Sequence, residues 1–121
     1  MIGDIRMEEK TILLNNKNSS QLIQMNKLLF VTTSIHDHYL DFITKDETLI
    51  SQGTLRELEN KYSELIRCHR HILVNINAIK SIDKKYHRIY FWESQNIHCN
   101  ISRRQYIKVY SAWERHVQMT F

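Results

Sequence analysis

Short runs of alternating apolar and polar residues fill most of this chain, and polar turn residues rather than proline separate them. Period-two alternation is the mark of half-buried strands. It predicts a short leading pair at residues 10–14 and 21–25, then a longer hairpin at 28–34 and 39–44 with its tip at 35–37. A further short strand is expected at 48–51. The pattern then changes period. Thr54-Leu55-Arg56-Glu57 has the form of a capping box, and Leu55, Leu58, Tyr62 and Leu65 follow at helical spacing. A helix of about three turns with one buried face is the expected result.

Alternation resumes at residues 72–74, 79–83, 88–92 and 97–101. In the last run Ile97, Cys99 and Ile101 share one face, while His98 and Asn100 share the other. Ser102-Arg103-Arg104-Gln105 forms a second capping box and puts both arginines in the first turn of a C-terminal helix. Tyr106, Tyr110, Trp113 and Val117 give that helix its apolar face. With no proline and only two glycines, turns fall to Asn, Asp, Ser and Lys, at 15–18, 45–47, 83–85 and 94–96. The sum is a mainly β chain of nine short strands with two helices.

Length refines this picture little. The 121 residues suit one small domain, no apolar run nears the roughly 20 residues of a membrane span, and residues 1–9 read as a disordered or tag-like start without a signal peptide. A soluble cytoplasmic protein is expected.

Charge changes the picture more. Residues 1–64 carry seven Lys/Arg and ten Asp/Glu, whereas residues 65–121 carry ten Lys/Arg, three Asp/Glu and five of the seven histidines. A cationic C-terminal half points to an anionic partner. Its densest part is Arg67-Cys68-His69-Arg70-His71, set against the apolar run Ile72-Leu73-Val74. A second basic step is Arg103-Arg104. Cations are disfavoured at a helix N-terminus by about 0.3–1 kcal/mol, and a bound phosphate relieves that. An arginine there can also reach a guanine edge through two hydrogen bonds.

These features together resemble the LytTR DNA-binding domain family. The residues that carry the resemblance are Gly53-Thr54-Leu55-Arg56-Glu57-Leu58, Arg67-Cys68-His69-Arg70, Val74-Asn75, Ile79-Lys80-Ser81-Ile82 and Ser102-Arg103-Arg104. Leu29-Phe30, leading into the first hairpin, also fits. The Arg-Cys-His step, and a cysteine five residues before Arg104, are similar to the accessory-gene-regulator type of quorum-sensing response regulator. The match runs from about residue 25 to 117, leaving 1–24 as an N-terminal extension with a leading strand pair and 25–121 as the LytTR-like domain.

The resemblance implies a mainly β fold of about ten short strands in small stacked sheets with two short helices, and loops rather than a recognition helix entering two successive major grooves of duplex DNA. It further implies transcription regulation at promoter direct repeats, with two copies side by side on DNA. Carried over by motif, the base contacts fall on His38, Arg70 and Arg104. Candidate phosphate contacts are His71, Asn100, Ser102 and Arg103. Arg70 stands where accessory-gene-regulator relatives have asparagine, and the chain has no room for the receiver domain that most such regulators carry.

Cys68 and Cys99 read as buried thiols, with a reversible disulfide pair as the sharper alternative. No cofactor, small-molecule substrate or membrane partner is expected. A zinc site built from Cys68, His69, His71, His98 and Cys99 is disfavoured, because His98 and Cys99 face opposite ways. No nucleophile elbow, glycine-rich phosphate loop or acidic cluster supports an enzyme. The competing reading is an RNA-binding module that stacks bases on Tyr90 and Trp92.

Overall fold

The computed structural model describes residues 10–120; the expected disordered start at residues 1–9 lies outside them. The described chain is mostly β. Strands β1 (Thr11–Asn15) and β2 (Ser20–Gln24) pair as a hairpin. Strands β3 (Leu28–Thr33), β4 (Tyr39–Thr44), β5 (Thr48–Gln52), β6 (Leu65–His69) and β7 (Ile72–Asn75) form an antiparallel sheet in the order β5-β4-β3-β7-β6. Strands β8 (Ile79–Asp83), β9 (Arg88–Phe91) and β10 (Ser94–Asn100) form a second antiparallel sheet in the order β10-β9-β8. Helix α1 (Leu55–Lys61) connects β5 to β6, and helix α2 (Tyr106–Thr120) ends the described chain.

The five-stranded sheet divides the interior into two cores. On one side Leu28, Val31, Phe42 and Leu73 meet Ile12, Leu14 and Ile23 of the β1–β2 hairpin and Leu55 of α1. On the other, Leu29, Cys68 and Val74 meet Ile89, Phe91 and Cys99 of the second sheet and Val109 of α2. Leu73 and Val74 are adjacent and both fully buried because each belongs to a different core. One buried polar side chain, Asn75, locks the crossing. Its Nδ2 donates to the carbonyls of Met25 at 3.0 Å and Leu28 at 2.8 Å, and its Oδ1 accepts from the Asn77 N–H at 3.1 Å.

Three expectations need correction. The first helix is two turns rather than three: its chain turns extended at Tyr62, and Leu65 opens strand β6. The helical spacing of Leu65 was coincidental. Pairing of β6 with β7, Leu65 opposite Asn75 and Ile66 opposite Val74, satisfies the backbone there instead. Arg67, Cys68 and His69 are therefore residues of strand β6. The turn expected at 94–96 sits at Trp92 and Glu93, before a bulge that lets β10 start at Ser94. Lastly, Arg103 and Arg104 lie in a turn ahead of α2, not in its first turn. The first capping box is present as expected: Glu57 N–H donates to Thr54 Oγ1 at 3.2 Å, and Thr54 N–H to Glu57 Oε1 at 3.0 Å.

Candidate nucleic-acid interface

The sequence candidates collect on hairpin tips and one turn. His38 ends the β3–β4 tip with a φ of 68°, a left-handed conformation that few non-glycine residues adopt and histidine tolerates better than most. Its carbonyl accepts the Gly53 N–H at 3.0 Å, and Tyr39 N–H closes the tip on the His36 carbonyl at 3.2 Å. The imidazole of His38 is left exposed on a backbone that is tied down.

The β6–β7 tip consists of only Arg70 and His71. Both are exposed, and internal bonds order them. Arg70 Nε donates to His71 Nε2 at 3.1 Å, and the His71 N–H donates to His69 Nδ1 at 3.1 Å. His69 thus acts as a structural acceptor within the hairpin. Arg67 secures the tip from behind. Its Nη1 donates to the Arg70 carbonyl at 3.0 Å, and its Nη2 pairs with Glu59 of α1 at 3.0 Å.

The two basic steps, more than thirty residues apart in sequence, are physically joined. Ser102 N–H donates to the Cys68 carbonyl at 2.9 Å, and Cys68 Sγ donates to the Asn100 carbonyl at 3.7 Å. Ser102 Oγ then accepts the Gln105 N–H at 3.3 Å, fixing the turn that presents Arg103 and Arg104. Both arginines are exposed. Among the described residues neither makes an ion pair, and Glu93 lies 4.0 Å from Lys45 instead. The side chain of Asn100 is exposed on the outer face of β10.

Cys68 and Cys99 are both buried free thiols facing the second core. A hydrogen bond with Cys68 and then burial push the Cys99 thiol well above its ordinary value. Both thiols lie in the same core, beneath the joined basic steps.

Two open depressions flank the β6–β7 tip. One, of about 360 Å³, is lined by His36, Asp37, His38, Arg56, Arg67 and Arg70, among others. The other, of about 540 Å³, is lined by His69, Lys85, Arg88, Asn100, Ser102 and Arg103. The structure thus brings His38 to Arg70, and Asn100 and Ser102 to Arg103. Sequence reasoning overlooked Arg56, Lys85 and Arg88. The doublet Lys84-Lys85 with Arg88, around a turn between two strands, was the available signal; it was read only as a turn.

Among the described residues no cluster of His, Cys, Asp or Glu could hold a metal ion. Tyr90 is half-buried beside His98, with ring centroids 5.8 Å apart, while Trp92 is exposed with Lys80 Nζ 5.7 Å from its ring. No described helix is long and apolar enough to cross a membrane.

A family model for the LytTr DNA-binding domain matches residues 18–114. The chain belongs to this family. Accessory gene regulator protein A of Staphylococcus aureus (strain N315) is 30% identical over 100 residues, which cover 83% of this chain and 41% of that protein. Accessory gene regulator protein A of Staphylococcus epidermidis is 28% identical over 91 residues, covering 75% of this chain and 38% of its own length. The chain thus spans about two fifths of the curated relatives it matches. A solved LytTr DNA-binding domain from Bacillus cereus superposes with a TM-score of 0.62 at 18% identity, covering 86% of this chain and 95% of that one. The LytTr fold expected from the resemblance is the fold observed.

Proposed function

We propose that this LytTr domain binds specific duplex DNA through its tips, which enter two successive major grooves, and so regulates transcription in the bacterial cytoplasm. The observation that carries the reading is the pair of depressions beside the β6–β7 hairpin, one lined by Arg56, Arg67 and Arg70 and the other by Lys85, Arg88 and Arg103. In this reading His38, Arg70 and Arg104 read base edges, while His71, Asn100, Ser102 and Arg103 hold phosphates. An arginine that bonds guanine O6 and N7 together discriminates by about 1–3 kcal/mol. The rigid mounting of Arg70 by Arg67, and of the Arg103–Arg104 turn by Ser102, lowers the entropy lost on binding.

Two copies side by side on promoter direct repeats would suit a domain that reads DNA without internal symmetry. By likeness to the accessory gene regulator proteins, its setting would be a quorum-sensing two-component response. The neighbouring thiols of Cys68 and Cys99 would form a redox pair whose disulfide distorts both basic steps, checked by mass spectrometry after mild peroxide.

The function is tested by selecting bound duplexes from fragmented bacterial genomic DNA, then titrating salt on the selected site. A specific site is expected, with affinity falling steeply and linearly on a log–log salt plot. Structured RNA added as competitor should displace little. Salt-independent binding, or preferential capture of RNA, sinks the reading.

A further inference from the structure

The β8–β9 turn is a further cationic element, carrying Lys84 and Lys85 with Arg88 just beyond it. Asp83 builds it: its Oδ1 accepts the N–H groups of Lys85 at 2.9 Å and Tyr86 at 3.0 Å. The Asp83 carboxylate thus serves the backbone of the turn. His87 completes the turn at a φ of 54°.

The turn is bolted to the segment that carries the second basic step. The His87 carbonyl accepts the Ile101 N–H at 2.8 Å, and the His87 ring stacks on Tyr106 with centroids 4.2 Å apart. On the outer side Tyr86 is 58% exposed, so its ring is a surface feature and not core packing. Lys85 Nζ lies 5.2 Å and Arg88 Cζ 5.3 Å from that ring's centroid. Cation–π contact of this kind holds two like charges close together without a carboxylate between them. Lys85 and Arg88 line the same depression as Arg103, and no acidic residue lines it.

We propose that Lys85 and Arg88, held on Tyr86, form a phosphate shelf that continues from Arg103 and grips the DNA backbone next to the groove entered by Arg104. The inference rests on the duplex-binding reading above and adds residues to it. Shelf contacts position the duplex and carry no sequence information. A duplex laid across the second depression meets three guanidinium or ammonium groups and two histidines on one rigid unit.

The test is a Lys85→Ala/Arg88→Ala double variant of the full chain, measured on the selected duplex and on an unrelated duplex across a salt series. Two lost phosphate contacts should flatten the log–log salt slope by about 1.8, since each contributes about 0.9. Affinity should fall by a similar factor on both duplexes, so their ratio stays unchanged. Methylphosphonate substitution at single phosphates should then weaken the wild type, but not the variant, at one or two backbone positions. If the wild type binds with steep salt dependence and the variant keeps the same slope, the shelf is refuted while the duplex reading stands. If the wild type shows no salt-dependent duplex binding, the duplex reading itself has failed. Should the double variant not fold, Lys85→Glu changes an exposed turn position only. It must still lower affinity on both duplexes, and an unchanged affinity refutes the shelf.

Discussion

Cys99 shows how a single side chain can be legible in identity and yet unread in its chemistry. Alternation along residues 97–101 was enough to turn it inward, where it is indeed buried beside Cys68. The neighbour was not legible, because thirty residues separate the two and it is long-range contacts, Ser102 N–H to the Cys68 carbonyl and Cys68 Sγ to the Asn100 carbonyl, that bring their segments together. The thiolate, not the thiol, attacks peroxide. With its proton held more tightly in the fold, Cys99 carries less thiolate than a free thiol at any given pH. Oxidation to the proposed disulfide would pass through a sulfenic acid, formed with release of one water, which condenses with the second thiol and releases another. We expect Cys68–Cys99 crosslinking by dilute peroxide to be slow at pH 7 and to accelerate as pH climbs past the ordinary thiol value of about 8.5. DNA binding should be lost in step with the crosslink. Intact mass and peptide mapping over a pH series check this; a crosslink that never forms retires the redox pair.

At the scale of elements, strands were easier to read than their ends. Strand β4 has the limits its alternation predicts, Tyr39–Thr44, because buried Leu40, Phe42 and Thr44 alternate with half-buried neighbours and nothing competes. Strand β6 was hidden because Leu65 also satisfied the helix period, and only its ladder with β7 decides between them. That misreading concealed the job of Arg67, which as a strand residue reaches back to Glu59 and forward to the Arg70 carbonyl. The pair is only partly exposed, 22% for Arg67 and 32% for Glu59, and Arg67 Nε is buried without a partner. Removing Glu59 leaves a poorly solvated guanidinium without its counter-charge. Glu59→Ala should therefore cost about 1 kcal/mol, at the upper end for pairs with some exposure. It should also speed amide exchange at Arg70 and His71 while leaving that of β4 unchanged. Urea unfolding and hydrogen exchange report the two effects; equal stability and equal exchange would show that the tip holds itself.

For the whole molecule, the basic groups of the C-terminal half gather most closely in the depression of Lys85, Arg88 and Arg103, while the depression of Arg67 and Arg70 also draws on His38 and Arg56 of the N-terminal half. Such a surface should separate affinity from specificity, and Arg103 and Arg104 allow the separation to be measured. Both stand exposed in one turn, fixed by Ser102, with no ion pair among the described residues. Removing either side chain should therefore leave the fold intact. Arg103 lines the depression shared with Lys85 and Arg88, which suits a phosphate contact. Loss of a phosphate contact weakens every duplex alike, whereas loss of a base contact costs about 1–3 kcal/mol on the cognate site and relaxes one position of it. Arg104→Ala is expected to show the second behaviour and Arg103→Ala the first, with a salt slope reduced by about 0.9. Selection of randomised duplexes with each variant, read as a change at one position of the preferred site or at none, distinguishes them. An Arg104→Ala protein that selects the wild-type site unchanged would move base reading away from this turn and onto the β3–β4 and β6–β7 tips alone.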